Sequence, residues 1–144
     1  MWGELLEILK DKAREGVDVR LIYDDFGCIT RLSPRYARRL RDFGISVRVF
    51  NPFLPIVSGR LNNRDHRKIM VIDGTTAFTG GINLADEYIN VNSRFGYWKD
   101  AGLYLRGKAA WSMTVQFLSM WNYITREELD FNPYLPQPMP TAGE

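Results

Sequence analysis

The chain has 144 residues, the size of one domain, and its 45% hydrophobic and 25% charged residues are ordinary for a globular protein. A formal net charge of +2 argues against a polybasic nucleic-acid-binding protein. One cysteine, Cys28, excludes an intramolecular disulfide and a cysteine zinc site, and one histidine argues against catalytic zinc, which takes several imidazoles. No apolar run reaches the roughly 18 to 20 residues that span a bilayer. The N-terminus lacks signal-peptide features. The sequence therefore predicts a soluble chain suited to a reducing compartment.

The first half of the chain predicts a helix followed by a strand–helix–strand unit. In chain order these elements are a helix from Leu5 to Ala13, a strand at 17–23, a loop at 24–27, a helix from Ser33 to Phe43 and a strand at 45–50. Gly16 ends the first helix, and Ser33 is predicted to cap the second with Pro34 at its first position. Such units usually have parallel strands.

The second half predicts a hairpin, a further strand and a long helix. The predicted elements are a polar loop at 52–65, strands at 67–72 and 75–79, a helix or turn at 82–90, a loop at 91–98, a strand at 101–106 and a helix at 108–124. Asp73-Gly74 is a strong hairpin signal, so the strands on either side are expected to be antiparallel. Trp111 and Trp121 are interpreted as core residues. The Pro-rich stretch from Asn132 predicts an extended or disordered tail, which gives a domain at 1–130 and a linker-like tail at 131–144.

The segment around the only histidine carries the chemistry. Strand periodicity predicts that His66 and Lys68 share one face of the strand at 67–72. An imidazole in that position can attack phosphorus while the ammonium group neutralises a phosphoryl oxygen. Asn83 can donate to the same phosphate, and Gly80 and Gly81 allow backbone N–H groups to approach an anion. A lone histidine is more often an ordinary surface or core residue, and it is the neighbouring residues that favour a site. The residues alone predict a mixed α/β domain with a His/Lys/Asn anion site.

The spacing of these residues resembles the signature of the phospholipase D superfamily. His66-x-Lys68-x4-Asp73 is followed after six residues by Gly80-Gly81-x-Asn83, with glycine at position 81, where the family often has serine. The similarity covers roughly residues 4–125. The segments 62–68 and 97–100 are similar to bacterial cardiolipin synthases in particular, and 13–21 is similar to the helix–strand unit upstream of the motif.

This resemblance implies an α/β fold, a phospholipase D-like α-β-α sandwich with a mixed parallel and antiparallel sheet that here lacks its first strands. It implies that His66 is the nucleophile and forms a phosphohistidine. Lys68 and Asn83 would then hold the phosphoryl oxygens, with Gly81 beside them, and Asp100 would orient the imidazole. Asp73 belongs to the motif, and we interpret it as mainly structural, bonding backbone or basic groups near the site. The resemblance implies no metal and no cofactor.

The family builds its active site from two such motifs, of which this chain has one. Either two copies pair, or the chain is half of a longer protein; the Pro-rich tail, read as a linker, favours the second. The implied function is half of a cardiolipin synthase, a phosphatidyltransferase that moves a phosphatidyl group between phosphatidylglycerol molecules and releases glycerol. Its partners would be the phospholipid and a membrane surface, with the parent protein at the bacterial cell membrane and no nucleic acid.

Two alternatives remain open at this point. One is a homodimeric nuclease or phosphodiesterase of the same superfamily, which the modest net charge disfavours. The other is a non-catalytic fragment for membrane or subunit contact, in which the aromatic residues Phe95, Tyr97 and Trp98 touch lipid headgroups.

Overall fold

The computed structural model describes residues 1–28, 32–52, 65–92 and 96–136. By their internal contacts, the residues form two compact units, Met1–His66 and Arg67–Glu144. Met1–His66 is the first unit and Arg67–Glu144 is the second unit. The predicted loop at 52–65 lies mostly outside the described residues, as do part of the predicted loop at 91–98 and the end of the tail from 137 onward.

Among its described residues, the first unit contains a pair of parallel strands and three helices. Its elements are α1 (Trp2–Arg14), β1 (Arg20–Asp24), α2 (Asp25–Cys28), α3 (Tyr36–Asp42) and β2 (Ser46–Phe50). β1 pairs with β2 in parallel, from Arg20 opposite Ser46 to Asp24 opposite Phe50. The predicted parallel strand–helix–strand unit is therefore confirmed.

Gly16 ends α1 as the sequence predicts. Its φ of 89° lies in the left-handed region that glycine adopts without steric cost. Its N–H donates to the carbonyl of Ala13 at 3.1 Å, and the N–H of Val17 donates to that of Lys12 at 3.0 Å. These two bonds satisfy carbonyls at the end of the helix, as in the common glycine-terminated helix end.

Two local predictions in this unit are wrong. Residues 24–27 do not form a loop, because Asp24 completes β1 and Asp25 opens the short helix α2. Ser33 does not cap α3, which begins at Tyr36. Instead the carbonyl of Ser33 accepts the N–H of Tyr36 at 2.9 Å, which closes a turn with Pro34 at its second position. The proline starts a turn that leads into the helix.

The core of the first unit lies between β1, β2, α3 and α1. Leu40, Ile45 and Val47 are at most 1% exposed. The remaining core residues and the partly buried side chains packed against them are Val19, Ala37, Leu6, Leu9, Ala13, Leu21, Tyr23, Tyr36 and Val49. α1 thus contributes one apolar face, as its sequence periodicity indicates.

The second unit is an antiparallel sheet packed against one long helix. Its elements are β3 (Lys68–Ile72), β4 (Thr76–Gly80), a 3-10 helix (Asp86–Ile89), β5 (Gly102–Arg106), α4 (Lys108–Thr125) and a 3-10 turn (Asn132–Tyr134). The strand order is β3-β4-β5, and both pairs are antiparallel. Between β3 and β4, Asp73 and Gly74 have φ values of 51° and 67°. Positive φ at both residues is the geometry of a tight hairpin turn, so the predicted hairpin is confirmed.

α4 packs against all three strands of this sheet. Its buried residues recur at helical spacing and are Ala110, Thr114, Leu118 and Trp121. The core role of Trp121 is therefore confirmed. Met70, Phe78 and Tyr104 lie directly opposite one another on neighbouring strands and are 40%, 42% and 58% exposed. One face of the sheet is thus apolar but exposed.

The start of the tail is ordered against the hairpin turn. Asn132–Tyr134 is a 3-10 turn, so an extended tail from Asn132 is wrong for these residues. A Cβ atom added to Gly74 would lie 2.6 Å from the carbonyl oxygen of Tyr134 and 2.9 Å from Cδ of Pro136. Glycine at position 74 therefore serves both the turn and the close approach of the tail. The boundary between a 1–130 domain and a 131–144 tail stays a prediction.

The mixed α/β class is confirmed, with one parallel and one antiparallel sheet among the described residues. In the part of the chain that the structure describes, no helix combines the length and the apolar character needed to cross a bilayer.

Candidate functional site

The first residue of β3 is Lys68, and the strands beside it present glycines. Lys68 lies directly opposite Gly80 in β4, which in turn lies opposite Gly102 in β5. Directly opposite residues of antiparallel strands point to the same face, and glycine has no side chain to fill that face. The two neighbouring strands therefore place no side chain directly opposite the half-buried lysine on this face.

His66 precedes this strand and lies outside it. The described strand starts at Lys68, one residue later than predicted, and His66 is exposed. Strand periodicity therefore does not fix the direction of the imidazole. His66 is the last residue of the first unit, and its role stays a prediction.

The ends of β4 and β5 approach each other closely at two glycines. A Cβ atom added to Gly80 would lie 2.5 Å from the carbonyl oxygen of Ala101 and 3.0 Å from Cα of Gly102. The N–H of Gly81 donates to the same Ala101 oxygen at 3.3 Å. The backbone donor of Gly81 therefore extends the sheet ladder, whereas the sequence led us to expect it near an anion.

Asp100 occupies the space that a side chain at position 81 would need. A Cβ atom on Gly81 would lie 2.5 Å from Oδ1 of Asp100 and 3.1 Å from its Oδ2. Oδ1 accepts the backbone N–H of Ala101 at 2.8 Å, and Oδ2 accepts the indole N–H of Trp98 at 3.3 Å. An ionised carboxylate has about four acceptor positions, so each oxygen can take a further donor. The carboxylate is thus held at both oxygens and can still bind another group.

Sequence reasoning missed one residue beside this carboxylate, Asn90. Its side-chain amide donates to the carbonyl of Trp98 at 2.8 Å, and its side-chain oxygen accepts the N–H of Trp98 at 2.6 Å. The two residues are eight positions apart, and no local sequence pattern links an asparagine side chain to a backbone at that distance. The only sequence signal is that asparagine readily adopts the left-handed conformation that ends a short helix.

The other predicted residues lie at different distances from this end of the sheet. Asn83 follows Gly81 by two residues, is half-buried, and its carbonyl accepts the N–H of Ala85 at 2.8 Å. Asp73 lies in the turn at the opposite end of β3 from Lys68, about 16 Å away along the strand. The structure thus brings Gly81 and Asp100 together, sets Lys68 opposite Gly80, and keeps Asp73 apart.

No three His, Cys, Asp or Glu side chains among the described residues come together in a group that could hold a metal ion.

Replacing Gly81 with alanine is expected to displace the carboxylate of Asp100. The added methyl group would collide with Oδ1, and moving that oxygen breaks its hydrogen bond with the N–H of Ala101. The measurement is amide hydrogen exchange at Ala101 by NMR, where we expect exchange to accelerate by about tenfold, the equivalent of one modest hydrogen bond. Gly102→Ala is the matched control, because its Cβ would meet nothing nearer than an oxygen at 3.8 Å. Equal exchange in both variants would contradict the assignment.

Curated relatives match this chain over nearly its whole length. An uncharacterized protein of Streptococcus mutans is 53% identical over 137 residues, which are 95% of this chain and 30% of that protein. The cardiolipin synthase of Alkalihalophilus pseudofirmus is 43% identical over 92% of this chain and 26% of its own length. Cardiolipin synthase 2 of Bacillus cereus is 44% identical with the same coverage, 92% and 26%.

The chain therefore spans between a quarter and a third of the length of these relatives. No solved structure is significantly similar to it. A family profile described as the PLD-like domain of cardiolipin synthase matches residues 3–121. This match covers most of the chain, and the chain belongs to the phospholipase D-like domain family of cardiolipin synthases.

Proposed function

We propose that this chain is one catalytic half of a cardiolipin synthase. The whole enzyme transfers a phosphatidyl group from one phosphatidylglycerol to a hydroxyl of another and releases glycerol. The proposal is carried by the arrangement of residues at one end of the antiparallel sheet, where β3 begins and β4 ends. There a lysine stands beside two glycines, and an anchored carboxylate that can accept a further hydrogen bond lies against a third glycine. This arrangement supports a site for a phosphodiester, and the relatives named cardiolipin synthase support the lipid substrate.

The proposed reaction has two displacement steps at phosphorus. In the first, a ring nitrogen of His66 attacks, a P–N bond forms, and the P–O bond to glycerol breaks. The glycerol oxygen takes a proton from a general acid, which the family's second histidine motif provides. In the second step, the hydroxyl of another phosphatidylglycerol attacks, loses its proton to that same group, and the P–N bond breaks. The imidazole is regenerated, so no other reactant is needed.

The other predicted residues act on charge and orientation in this scheme. The ammonium group of Lys68 and the side-chain amide of Asn83 donate to the phosphoryl oxygens, whose negative charge grows as phosphorus is attacked. Asp100 accepts the N–H of the ring nitrogen that does not attack. A carboxylate there fixes the tautomer and stabilises the positive charge on the ring. Asp73 shapes the hairpin turn and takes no part in the displacement.

The proposed reaction requires a partner that supplies the general acid. Either the second half of a longer protein or a second copy of this chain supplies it, and the lipid substrate is reached at a membrane surface. The share of the relatives' length that this chain covers supports the first of these.

The test is a product assay with phosphatidylglycerol micelles in excess EDTA. The proposed chemistry uses no metal, so chelation is expected to leave the rate unchanged. Cardiolipin and glycerol in equal amounts are the expected products, from the chain alone at high concentration or after adding the second half. A rate that rises with the square of chain concentration would identify paired copies. Salt-sensitive cleavage of DNA without any cardiolipin would instead favour the nuclease alternative.

A further inference from the structure

The side chain of Asn90 holds the backbone of Trp98 through two hydrogen bonds. The 3-10 helix Asp86–Ile89 ends at Asn90, whose φ of 60° turns the chain out of the helix. Its side-chain amide then makes two hydrogen bonds with Trp98, donating to the carbonyl and accepting from the N–H, at 2.8 and 2.6 Å. The side-chain amide thus pairs with the N–H and the C=O of one residue, as a neighbouring backbone does in an antiparallel sheet. The position of Trp98 is therefore fixed relative to the short helix.

The ring of Trp98 is fixed by a second contact. The ring of Tyr88, in the same 3-10 helix, meets it edge to face, with centroids 4.8 Å apart and planes at 88°. Edge-to-face pairs at this separation are favourable and directional. Backbone and ring of Trp98 are thus both held by the segment 86–90, and the indole N–H points to Oδ2 of Asp100 at 3.3 Å.

We infer that Asn90 and Trp98 are positioning residues that set the orientation of the Asp100 carboxylate. The inference rests on the proposed function, in which that carboxylate accepts a hydrogen bond from His66. With Oδ2 held by the indole and Oδ1 by the backbone of Ala101, rotation of the carboxylate about its Cβ–Cγ bond is restricted. The remaining acceptor positions of the two oxygens then keep fixed directions. Neither Asn90 nor Trp98 needs to touch the substrate for this effect.

The tautomer of His66 provides a readout that a merely structural role would not change. His66 is the only histidine, so selective ¹⁵N labelling of histidine gives one pair of ring signals. The spectra are recorded at a pH above which the two ¹⁵N shifts no longer change, so that both shifts report on the neutral ring. A carboxylate partner selects one tautomer and separates the two ¹⁵N shifts widely, whereas exchange between tautomers brings them together.

Three substitutions and two controls are compared in the full chain. Asp100→Ala removes the carboxylate. Trp98→Phe removes the indole N–H but keeps an aromatic ring for Tyr88. Asn90→Gly removes both side-chain bonds while tolerating the left-handed backbone. The controls are Tyr97→Phe, since Tyr97 is 86% exposed beside Trp98, and Asn51→Gly, since Asn51 also has a positive φ, of 46°.

We expect Asp100→Ala to narrow the gap between the two ¹⁵N shifts most. Trp98→Phe and Asn90→Gly should narrow it part of the way, and both controls should match the unmodified chain. If Asp100→Ala narrows the gap but Trp98→Phe and Asn90→Gly do not, the inference is overturned and the proposed role of Asp100 stands. If Asp100→Ala has no effect, that proposed role fails, and the inference fails with it. Narrowing in Tyr97→Phe equal to that in Trp98→Phe would also overturn it.

Discussion

Replacing His66 with alanine is expected to abolish the release of p-nitrophenolate from bis(p-nitrophenyl) phosphate. This leaving group departs without being protonated, so one half-site suffices and the general acid of the second motif is not required. The unmodified chain should release a burst of about one nitrophenolate per site as the imidazole is phosphorylated. The variant lacks the attacking nitrogen, and we expect its rate to fall by about 10⁴-fold or more, as enzymes do when they lose their nucleophile.

Two controls separate chemistry from folding in this experiment. His66→Gly leaves a space that free imidazole can enter, so added imidazole should restore part of the rate. Tyr97→Phe removes a hydroxyl from a side chain that is 86% exposed and should leave the burst unchanged. A burst of normal size in His66→Ala would show that another group attacks phosphorus.

Replacing Leu40 with alanine is expected to have the largest effect on the stability of the first unit. Leu40 is 1% exposed and lies in α3, packed among the residues of the unit's core. Removing a buried leucine side chain costs about 2–5 kcal/mol, because burial is lost and a cavity remains. Native-state hydrogen exchange of β1 and β2 amides measures this cost in the first unit without interference from the second.

Ile8→Ala is the matched control for this substitution. Ile8 lies in the same unit, has as many side-chain carbons as leucine, and is 56% exposed. Its loss should change the free energy of unfolding by no more than about 0.5 kcal/mol, as is usual for exposed positions. If Leu40→Ala cost no more than Ile8→Ala, the described core of the first unit would be wrong.

The parts of the fold that were predictable from sequence depend on local rules. The helix end at Gly16 and the turn at Asp73-Gly74 follow from backbone conformations that few residue types adopt. The start of α3 differs from the prediction because Ser33-Pro34 can open either a helix or a turn. The hydrogen bond from the N–H of Tyr36 to the carbonyl of Ser33 shows that it opens a turn. Strand pairing in the hairpin followed from its short connection, which permits only antiparallel neighbours.

The parts that were not predictable depend on contacts between distant residues. The tail near Tyr134 lies against Gly74, 60 positions earlier, and its proline content gave no sign of this. In the site, the motif spacing led to Lys68 and Asn83, whereas Asp100 came from the resemblance to the family. The reason for a glycine at position 81 emerged only when the carboxylate of Asp100 was found in its side-chain space. The hydrogen bonds between Asn90 and Trp98 also join residues eight positions apart, a spacing that no helix or strand period predicts.

A covalent adduct on His66 is the most direct test of the central claim. The chain is mixed with a phosphodiester substrate, quenched in alkali within milliseconds, digested and analysed by mass spectrometry. Phosphohistidine is stable to alkali and labile to acid, and only one residue of this chain can form it. We expect an added phosphoryl ester on the peptide that contains His66, and we expect acid treatment to remove it. Product formation with that peptide unmodified, or an adduct on another residue, would contradict it.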